Sequence, residues 1–207
     1  ADHLAIREPF SLRLARDLGL DRAVQAADLT FLTATDLAPD VADILRALMA
    51  DPEPLSAALA RYPATLLHGD YRVPNLGLSG PSLSTVVALD WGQAGQGAAT
   101  IDLTWLLDRP DVWSAEIPTE TMVAVYRQRL AGYLNDRFDD NAWQPMWELG
   151  HLVSILRIGC LRAWFIRRPR NKAQQASLSR AGALYDEKVR AAAKWLRSGT
   201  AAASPQR

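Results

Sequence analysis

The sequence predicts an α+β fold that is mainly α-helical, with a small antiparallel strand element near the middle of the chain. Apolar residues recur with helical spacing over long stretches on both sides of residues 64–100. Between these stretches lie short apolar runs that stop at turn-forming or charged residues, as strands do. The 207 residues, of which 49% are apolar and 22% charged, suffice to bury the core of one such domain.

The leading segment, residues 1–63, is predicted to be helical. Its first helix runs from Pro9 to Leu18, because Gly19 is the residue type preferred just past a helix end. A second helix spans Pro39 to Ala50, since a proline in the first turn lacks an N–H that the helix would not use. A third is predicted from Leu55 to Arg61.

Three short runs in the middle of the chain are predicted to be strands. They are Thr65–Leu67, Leu76–Leu78 and the β-branched run Thr85–Leu89. Gly95 and Gly97 follow, and their lack of a side chain predicts a loop of turns. The strands therefore form one compact element in an otherwise helical chain.

The remainder of the chain is predicted to be helical. The expected helices are Ile101–Leu107, Thr119–Leu134, a long one that begins at Asp139–Asn141 and ends near Ile166, and Ala173–Arg197. Arg168-Pro169-Arg170 should separate the last two, because proline cannot continue a helix.

Composition argues against several functional classes. Lys plus Arg and Asp plus Glu both number 23, so the chain lacks the positive charge typical of nucleic-acid binding. Cys160 is the only cysteine, which excludes a disulfide scaffold and a cysteine zinc site. The apolar run 149–166 contains Arg157 and Arg162, which disfavour a membrane span. No targeting segment is recognisable, so we expect a cytoplasmic protein without a membrane partner.

The polar residues that follow the predicted strands suggest phosphoryl-transfer chemistry. Asp70 and Asn75 lie five residues apart in one loop, and a hairpin could return Asp90 to that loop. Carboxylate and amide oxygens are ligands that suit Mg²⁺, which also shares its shell with phosphates. A carboxylate that is not bound to the metal can accept a proton from an attacking hydroxyl.

These residues resemble the catalytic lobe of the aminoglycoside phosphotransferase family, within the protein-kinase-like superfamily. The family's loop H-G-D-x-x-x-x-N matches His68 to Asn75 position for position, and its strand-borne aspartate followed by an aromatic matches Asp90-Trp91. A glycine-containing loop and an Asp-Leu pair match Gly95 to Leu103. The resemblance extends over about Thr65 to Leu107, and implies a protein-kinase-like C-lobe whose strand element carries the catalytic and metal-binding loops.

The resemblance implies a role for each matched residue. Asp70 is expected to be the catalytic aspartate, which orients the acceptor hydroxyl and takes its proton. Asn75 and Asp90 are expected to bind Mg²⁺ and, with Arg72, the phosphates of ATP or GTP. Arg72 could equally be a surface ion-pair partner.

His68 and Asp102 are expected to support the structure of the site. The resemblance gives His68 the role of holding the catalytic loop through its ring nitrogens. It gives Asp102 the role of capping its helix and bracing that loop. His151, in the long helix, is predicted to be a hydrogen-bonded core residue and not a catalytic one.

The chain is predicted to lack the nucleotide-binding N-terminal lobe of a kinase. Such a lobe needs a glycine-rich loop and a strand lysine before the catalytic loop. The first lysine is Lys172, and Gly19 is the only glycine before His68. We therefore expect residues 1–207 to form the C-terminal lobe, with a catalytic core at 64–107 and a helical substrate subdomain at 108–200. The missing lobe would be a partner, and this part alone could be inactive.

The favoured function is O-phosphorylation of a small hydroxylated molecule by ATP or GTP. The alternative is a non-catalytic, pseudokinase-like binding module, which the presence of Asp70, Asn75 and Asp90 argues against. A cationic acceptor would need carboxylates around it. The candidates are Asp108, Asp111, Glu116, Glu120, Asp136, Asp139, Asp140 and Glu148, and an apolar pocket could use Trp105, Trp113, Trp143 and Trp147.

Overall fold

The computed structural model describes residues 37–108, 118–166 and 172–197. The predicted helix from Pro9 to Leu18 and the predicted break at Arg168-Pro169-Arg170 lie outside these residues. Within the described residues, no helix is both long enough and apolar enough to cross a membrane.

The described residues form helices and four short strands. The helices are α1 Pro39–Ala50, α2 Glu53–Leu59, α3 Thr100–Leu107, α4 Thr119–Leu134, α5 Asp140–Ile166 and α6 Lys172–Arg197. The strands are β1 Ala64–Leu67, β2 Leu76–Ser79, β3 Thr85–Ala88 and β4 Gly95–Ala98. The predicted fold class, α+β and mainly helical with small antiparallel strands, is confirmed.

The strands form two separate antiparallel pairs instead of one element. In the first pair β1 lies beside β4, so that Ala64 is opposite Ala98. In the second, β2 and β3 form a hairpin with Leu76 opposite Ala88. Strand β4 is a correction to the sequence prediction, which assigned its glycines to turns. Glycine fits at position 97 because an added Cβ atom would lie 2.8 Å from Leu67 Cδ1, so that this buried side chain would have to shift.

Helix α5 forms the centre of the helical core. Its Leu149, Leu152 and Ile155 are fully buried, and it packs against both α3 and α6. The approach to α3 is close at Gly150, where an added Cβ would lie 2.9 Å from Thr100 Oγ1. Helix α3, which directly follows β4, therefore packs closely against α5.

Helix α1 packs against α6 through one apolar face. Val41, Leu45 and Leu48 recur with helical spacing and are buried. At the rim, Arg190 on α6 makes two hydrogen bonds of 2.8 Å with the carboxylate of Asp40. Because this ion pair is exposed, burial of the apolar face contributes most of the attachment.

Candidate functional site

The loop from His68 to Asn75 connects β1 to β2 and lies against the turn that follows β3. Gly69 has a φ of +81°, and a Cβ there would lie 2.0 Å from the carbonyl oxygen of Gln93. Only glycine is compatible with both the backbone conformation and this contact. The turn Trp91–Gln93 directly follows Asp90, so this contact brings the two predicted motifs together.

His68 connects the catalytic loop to the end of β3. Its Nε2 lies 2.7 Å from the carbonyl oxygen of Leu89, and its Nδ1 lies 3.3 Å from the main-chain nitrogen of Asp70. A carbonyl can only accept, so Nε2 carries the proton and Nδ1 accepts the N–H of Asp70. The ring also packs against Trp91, with 4.6 Å between ring centroids.

Asp70 is buried, and its carboxylate is held by three donors from the described residues. Oδ1 accepts a hydrogen bond of 3.1 Å from Trp105 Nε1. Oδ2 accepts bonds of 2.8 Å from Arg72 Nε and 2.9 Å from Asn75 Nδ2. Arg72 thus makes an ion pair with the predicted catalytic residue itself. Three donors on two oxygens fix the orientation of the carboxylate.

The side chain of Asn75 is oriented by Asp70. Its Nδ2 donates to both the main-chain oxygen and Oδ2 of Asp70, at 2.9 Å in each case. Both amide hydrogens are used in this way, so Oδ1 is the atom that the side chain would present to a metal. The main chain of Asn75 also accepts a hydrogen bond of 2.8 Å from the N–H of Leu89.

Asp90 lies one residue beyond Leu89 and is exposed. Its φ of 62° and ψ of 61° place it in the left-handed region, which is uncommon for residues other than glycine. Such a conformation often marks a functional position. Asp70 and Asn75 are thus in direct contact, whereas Asp90 approaches them through the main chain of Leu89.

Asp102, in the first turn of α3, binds the backbone of the catalytic loop. Its Oδ2 accepts the N–H of His68 at 2.6 Å and its Oδ1 accepts that of Gly69 at 3.0 Å. Burial raises the pKa of this carboxyl, against the lowering effect of the two hydrogen bonds. The predicted capping role is wrong, because Ala99 is the N-cap and no side chain caps α3.

The donor set suits a magnesium ion that is shared with a nucleotide. Asn75 and Asp90 offer an amide oxygen and a carboxylate, and Mg²⁺ completes its shell with waters and phosphates. Within the described residues, no group of three His, Cys, Asp or Glu side chains could hold a metal. Asn75 and Asp90 are thus the side chains whose oxygens would hold such a cation.

A comparison with known families assigns the chain. A model of the phosphotransferase enzyme family (APH) matches residues 3–146, which is well over half of the chain. The chain belongs to the phosphotransferase enzyme family. The resemblance inferred from the loop His68–Asn75 is thereby confirmed. No curated protein and no solved structure was found to match the chain.

In this phosphotransferase, sequence reasoning missed the residues behind Asp70. Trp105 is named above only as a residue for an apolar pocket, yet its indole N–H donates to the Asp70 carboxylate. Arg157 on α5 is buried, and its Nη2 donates to the carbonyl oxygen of Gly69 and, at 3.4 Å, to Gln93 Oε1. The one signal in the sequence was a charged residue within an apolar helix.

Asp108, predicted as one of several carboxylates for a cationic substrate, is part of a buried ion cluster instead. Its Oδ2 lies 2.8 Å from His151 Nδ1, and its Oδ1 accepts a bond of 2.5 Å from Lys188 Nζ. Burial opposes its ionisation, but His151 and Lys188 together hold the pKa of Asp108 below its usual value. The prediction that His151 is a hydrogen-bonded core residue is confirmed.

The other candidates for a substrate pocket divide between the described residues and the rest of the chain. Glu148 binds Trp195 and Lys194, and Asp140 binds Arg127. Trp143 is buried and stacks against Trp147. Asp111, Trp113 and Glu116 lie outside the described residues.

Proposed function

We propose that the chain is the catalytic lobe of a small-molecule kinase, which transfers a phosphoryl group from ATP or GTP to a substrate hydroxyl. The observation that carries this proposal is the double hydrogen bond from Asn75 Nδ2 to Asp70. It holds a proton acceptor and an oxygen ligand in one fixed arrangement. Membership of the phosphotransferase enzyme family supports the class of reaction.

In the proposed reaction, Asp70 orients the acceptor hydroxyl and receives its proton. The hydroxyl oxygen forms a bond to the γ-phosphorus. The bond from that phosphorus to the β–γ bridging oxygen breaks, and its electron pair leaves with the nucleoside diphosphate. Because the Asp70 side chain is 11% exposed, its carboxylate is close enough to the surface to meet a substrate.

Asn75 and Asp90 are the residues proposed to hold Mg²⁺, which would neutralise charge on the phosphates when bound. Arg72 uses Nε for Asp70 and is 34% exposed. Its terminal nitrogens are therefore the donors that it would present to the transferred phosphate. His68 and Asp102 are proposed to hold the loop through the contacts described above.

The exposed apolar surface of the β2–β3 hairpin supports the proposal that a nucleotide-binding lobe packs beside the site. Leu78 and Val86 are 59% and 60% exposed, and neighbouring Leu83 and Leu89 are also exposed. A cluster of exposed apolar side chains next to a candidate site is typical of an interface. We propose that the missing N-terminal lobe covers it, and that the enzyme works in the cytoplasm, where its nucleotide is available.

Calorimetric titration with Mg-ATP and Mg-GTP tests this function. It should compare this chain with a longer form that carries the sequence preceding it. We expect only the longer form to bind, and to release nucleoside diphosphate when hydroxylated acceptors are added. Aminoglycosides, amino alcohols and sugars would be the acceptors tested.

Two substitutions in the longer form test the roles. Asp70→Ala should abolish turnover and leave nucleotide binding largely intact, whereas Asp90→Ala should weaken Mg-nucleotide binding as well. Asp43→Ala, which removes an exposed carboxylate on α1, is the control and should change neither. Full activity in either site variant would contradict the assignments, and no nucleotide binding by either form would favour the pseudokinase alternative.

A further inference from the structure

Trp105 and Arg157 form a buried stack directly behind Asp70. The guanidinium carbon of Arg157 lies 4.0 Å from the centroid of the Trp105 ring, a cation–π contact. The ring's Nε1 donates to Asp70 Oδ1 at 3.1 Å. Arg157 also donates to the carbonyl oxygen of Gly69, the residue before Asp70. The stack therefore contacts both the side chain of the proposed proton acceptor and the backbone next to it.

The hydrogen bonds distinguish the two oxygens of Asp70. A carboxylate oxygen has two lone pairs. Those of Oδ2 are both used, by Arg72 and Asn75, whereas Oδ1 accepts only from Trp105 among the described residues. Oδ1 is thus the oxygen with a lone pair left for the acceptor hydroxyl. The hydrogen bond from the Trp105 indole N–H to Oδ1 sets the direction in which that remaining lone pair points.

We propose that Trp105 and Arg157 are positioning residues for Asp70, with Oδ1 as the oxygen that takes the proton. This inference rests on the function proposed above. Trp105 fixes the rotation of the carboxylate, and Arg157 holds the indole ring in the plane that makes the hydrogen bond. A small rotation of Asp70 would misalign the hydroxyl, and misplacement of about 1 Å can cost about a hundredfold in rate.

The contact is tested first by NMR on this chain, without any need for activity. The indole N–H resonance of Trp105 should shift in Asp70→Ala, and its hydrogen exchange should accelerate about tenfold, as expected on loss of a charged hydrogen bond. Trp195 provides the matched control, because its indole N–H donates to the carboxylate of Glu148 instead. Its resonance should stay unchanged.

Steady-state kinetics on the longer form, which is the one expected to bind nucleotide, test the effect of this contact on catalysis. Trp105→Phe keeps an aromatic ring that can face Arg157 but removes the N–H donor. We expect kcat to fall about tenfold to a hundredfold, because the alignment of the reacting groups is lost. The KM for the nucleotide and the KM for the acceptor should each change by less than about twofold. Trp195→Phe should leave kcat unchanged. The acceptor would be the hydroxylated compound that gives the fastest turnover in the screen described under Proposed function. If no compound is turned over, the reaction measured would be basal hydrolysis of Mg-ATP, in which water is the acceptor.

Arg157→Lys keeps the charge and loses the planar stack. We expect it to lower kcat in the same way, and the double variant with Trp105→Phe to be no slower than the worse single variant, since both act through the same carboxylate.

Any of three results would overturn the proposal. The Trp105 indole N–H resonance could fail to shift in Asp70→Ala, kcat could stay unchanged in Trp105→Phe, or Trp105→Phe could change KM alone. If no form turns over even water, the proposed function fails. The NMR result then decides on its own whether Trp105 orients Asp70.

Discussion

The two ends of α3 each carry an aspartate, half-buried Asp102 and buried Asp108, and the two residues behave in opposite ways. Asp102 in the first turn has a raised pKa, whereas Asp108 just past the last turn has a lowered one. Loss of contact with water opposes the ionisation of both, so this effect alone would raise both pKa values. The difference comes from their partners. Asp102 accepts from main-chain N–H groups, and Asp108 from the side chains of His151 and Lys188.

This contrast separates two structural tasks on one short helix. Main-chain donors keep their positions at every pH, so Asp102 fixes the shape of the catalytic loop. The side chains of His151 on α5 and Lys188 on α6 connect separate helices through Asp108, and their attraction to it depends on the ionisation of Asp108. The first end should therefore govern both activity and stability, and the second end should govern stability alone.

The largest effect is expected from Asp102→Ala. It leaves the N–H groups of His68 and Gly69 without their acceptor, and each unsatisfied buried donor costs about 1–3 kcal/mol. We expect the free energy of unfolding to fall by about 3 kcal/mol. We also expect turnover in the nucleotide-binding form to fall at least about a hundredfold, because the loop is no longer fixed.

Chemical denaturation and turnover measured well below the unfolding midpoint check this prediction. Asp102→Asn is the informative companion, since it keeps one acceptor oxygen and should fall between wild type and Asp102→Ala. A variant that lost stability but kept full turnover would show that the loop holds its shape without Asp102.

Asp108→Ala should come next, with about 2 kcal/mol lost from the free energy of unfolding and no separate loss of turnover. Removing one partner of a buried ion pair leaves the other charge uncompensated. Lys188 is partly exposed, so it can turn toward water and reduce the cost. Turnover per folded molecule should stay within about twofold of wild type. A tenfold loss would mean that this end of α3 also governs the site.

Sequence reasoning recovered the parts of the site that depend on local order. The spacing of Asp70 and Asn75, and the helix bounds set by Pro39 and by Asp140, are properties of short segments. It missed contacts that only the folded chain creates. Arg157 reaches Gly69 across 88 positions of sequence, which no periodicity encodes.

The missed strand β4 has a related cause. Its glycines suggest turns, but a Cβ at Gly97 would press on the side chains of Leu67 and Ile101, which favours glycine at this strand position. The capping role predicted for Asp102 is wrong for a similar reason. Its carboxylate oxygens accept the main-chain N–H groups of Gly69 and His68, which lie 33 and 34 positions earlier in the sequence. Tertiary contacts override local preference at these positions.

Gly150→Ala tests whether both ends of α3 depend on its close packing against α5. The added methyl group would press on Thr100, at 2.9 Å from its hydroxyl and 3.2 Å from its carbonyl oxygen. Overpacking costs about 1–3 kcal/mol, against about 1 kcal/mol gained in helix propensity. We expect a net loss of about 1 kcal/mol in the free energy of unfolding.

Gly132→Ala in α4 is the matched control, because no atom lies within 4 Å of the added Cβ. It should stabilise the protein by up to about 1 kcal/mol, through helix propensity alone. Equal shifts of the same sign in both variants, measured by denaturation, would mean that α3 and α5 can separate slightly without cost.

The smallest effect, and the sharpest test of the contrast, is the pH dependence of stability. The folded-state pKa of Asp102 is raised above 3.8, so its ionisation costs stability that returns as the pH falls toward about 4. The folded-state pKa of Asp108 is lowered below 3.8, so its contribution to stability persists above that pH and is lost below it.

Denaturation midpoints should therefore respond differently to two isosteric substitutions, one at each aspartate. Asp102→Asn should remove part of the gain in stability that wild type shows as the pH falls from neutral to about 4. Asp108→Asn should remove part of the loss of stability that wild type shows below about pH 4. If both variants altered the same pH range, the partners would not distinguish the two aspartates, and burial alone would govern both ends of α3.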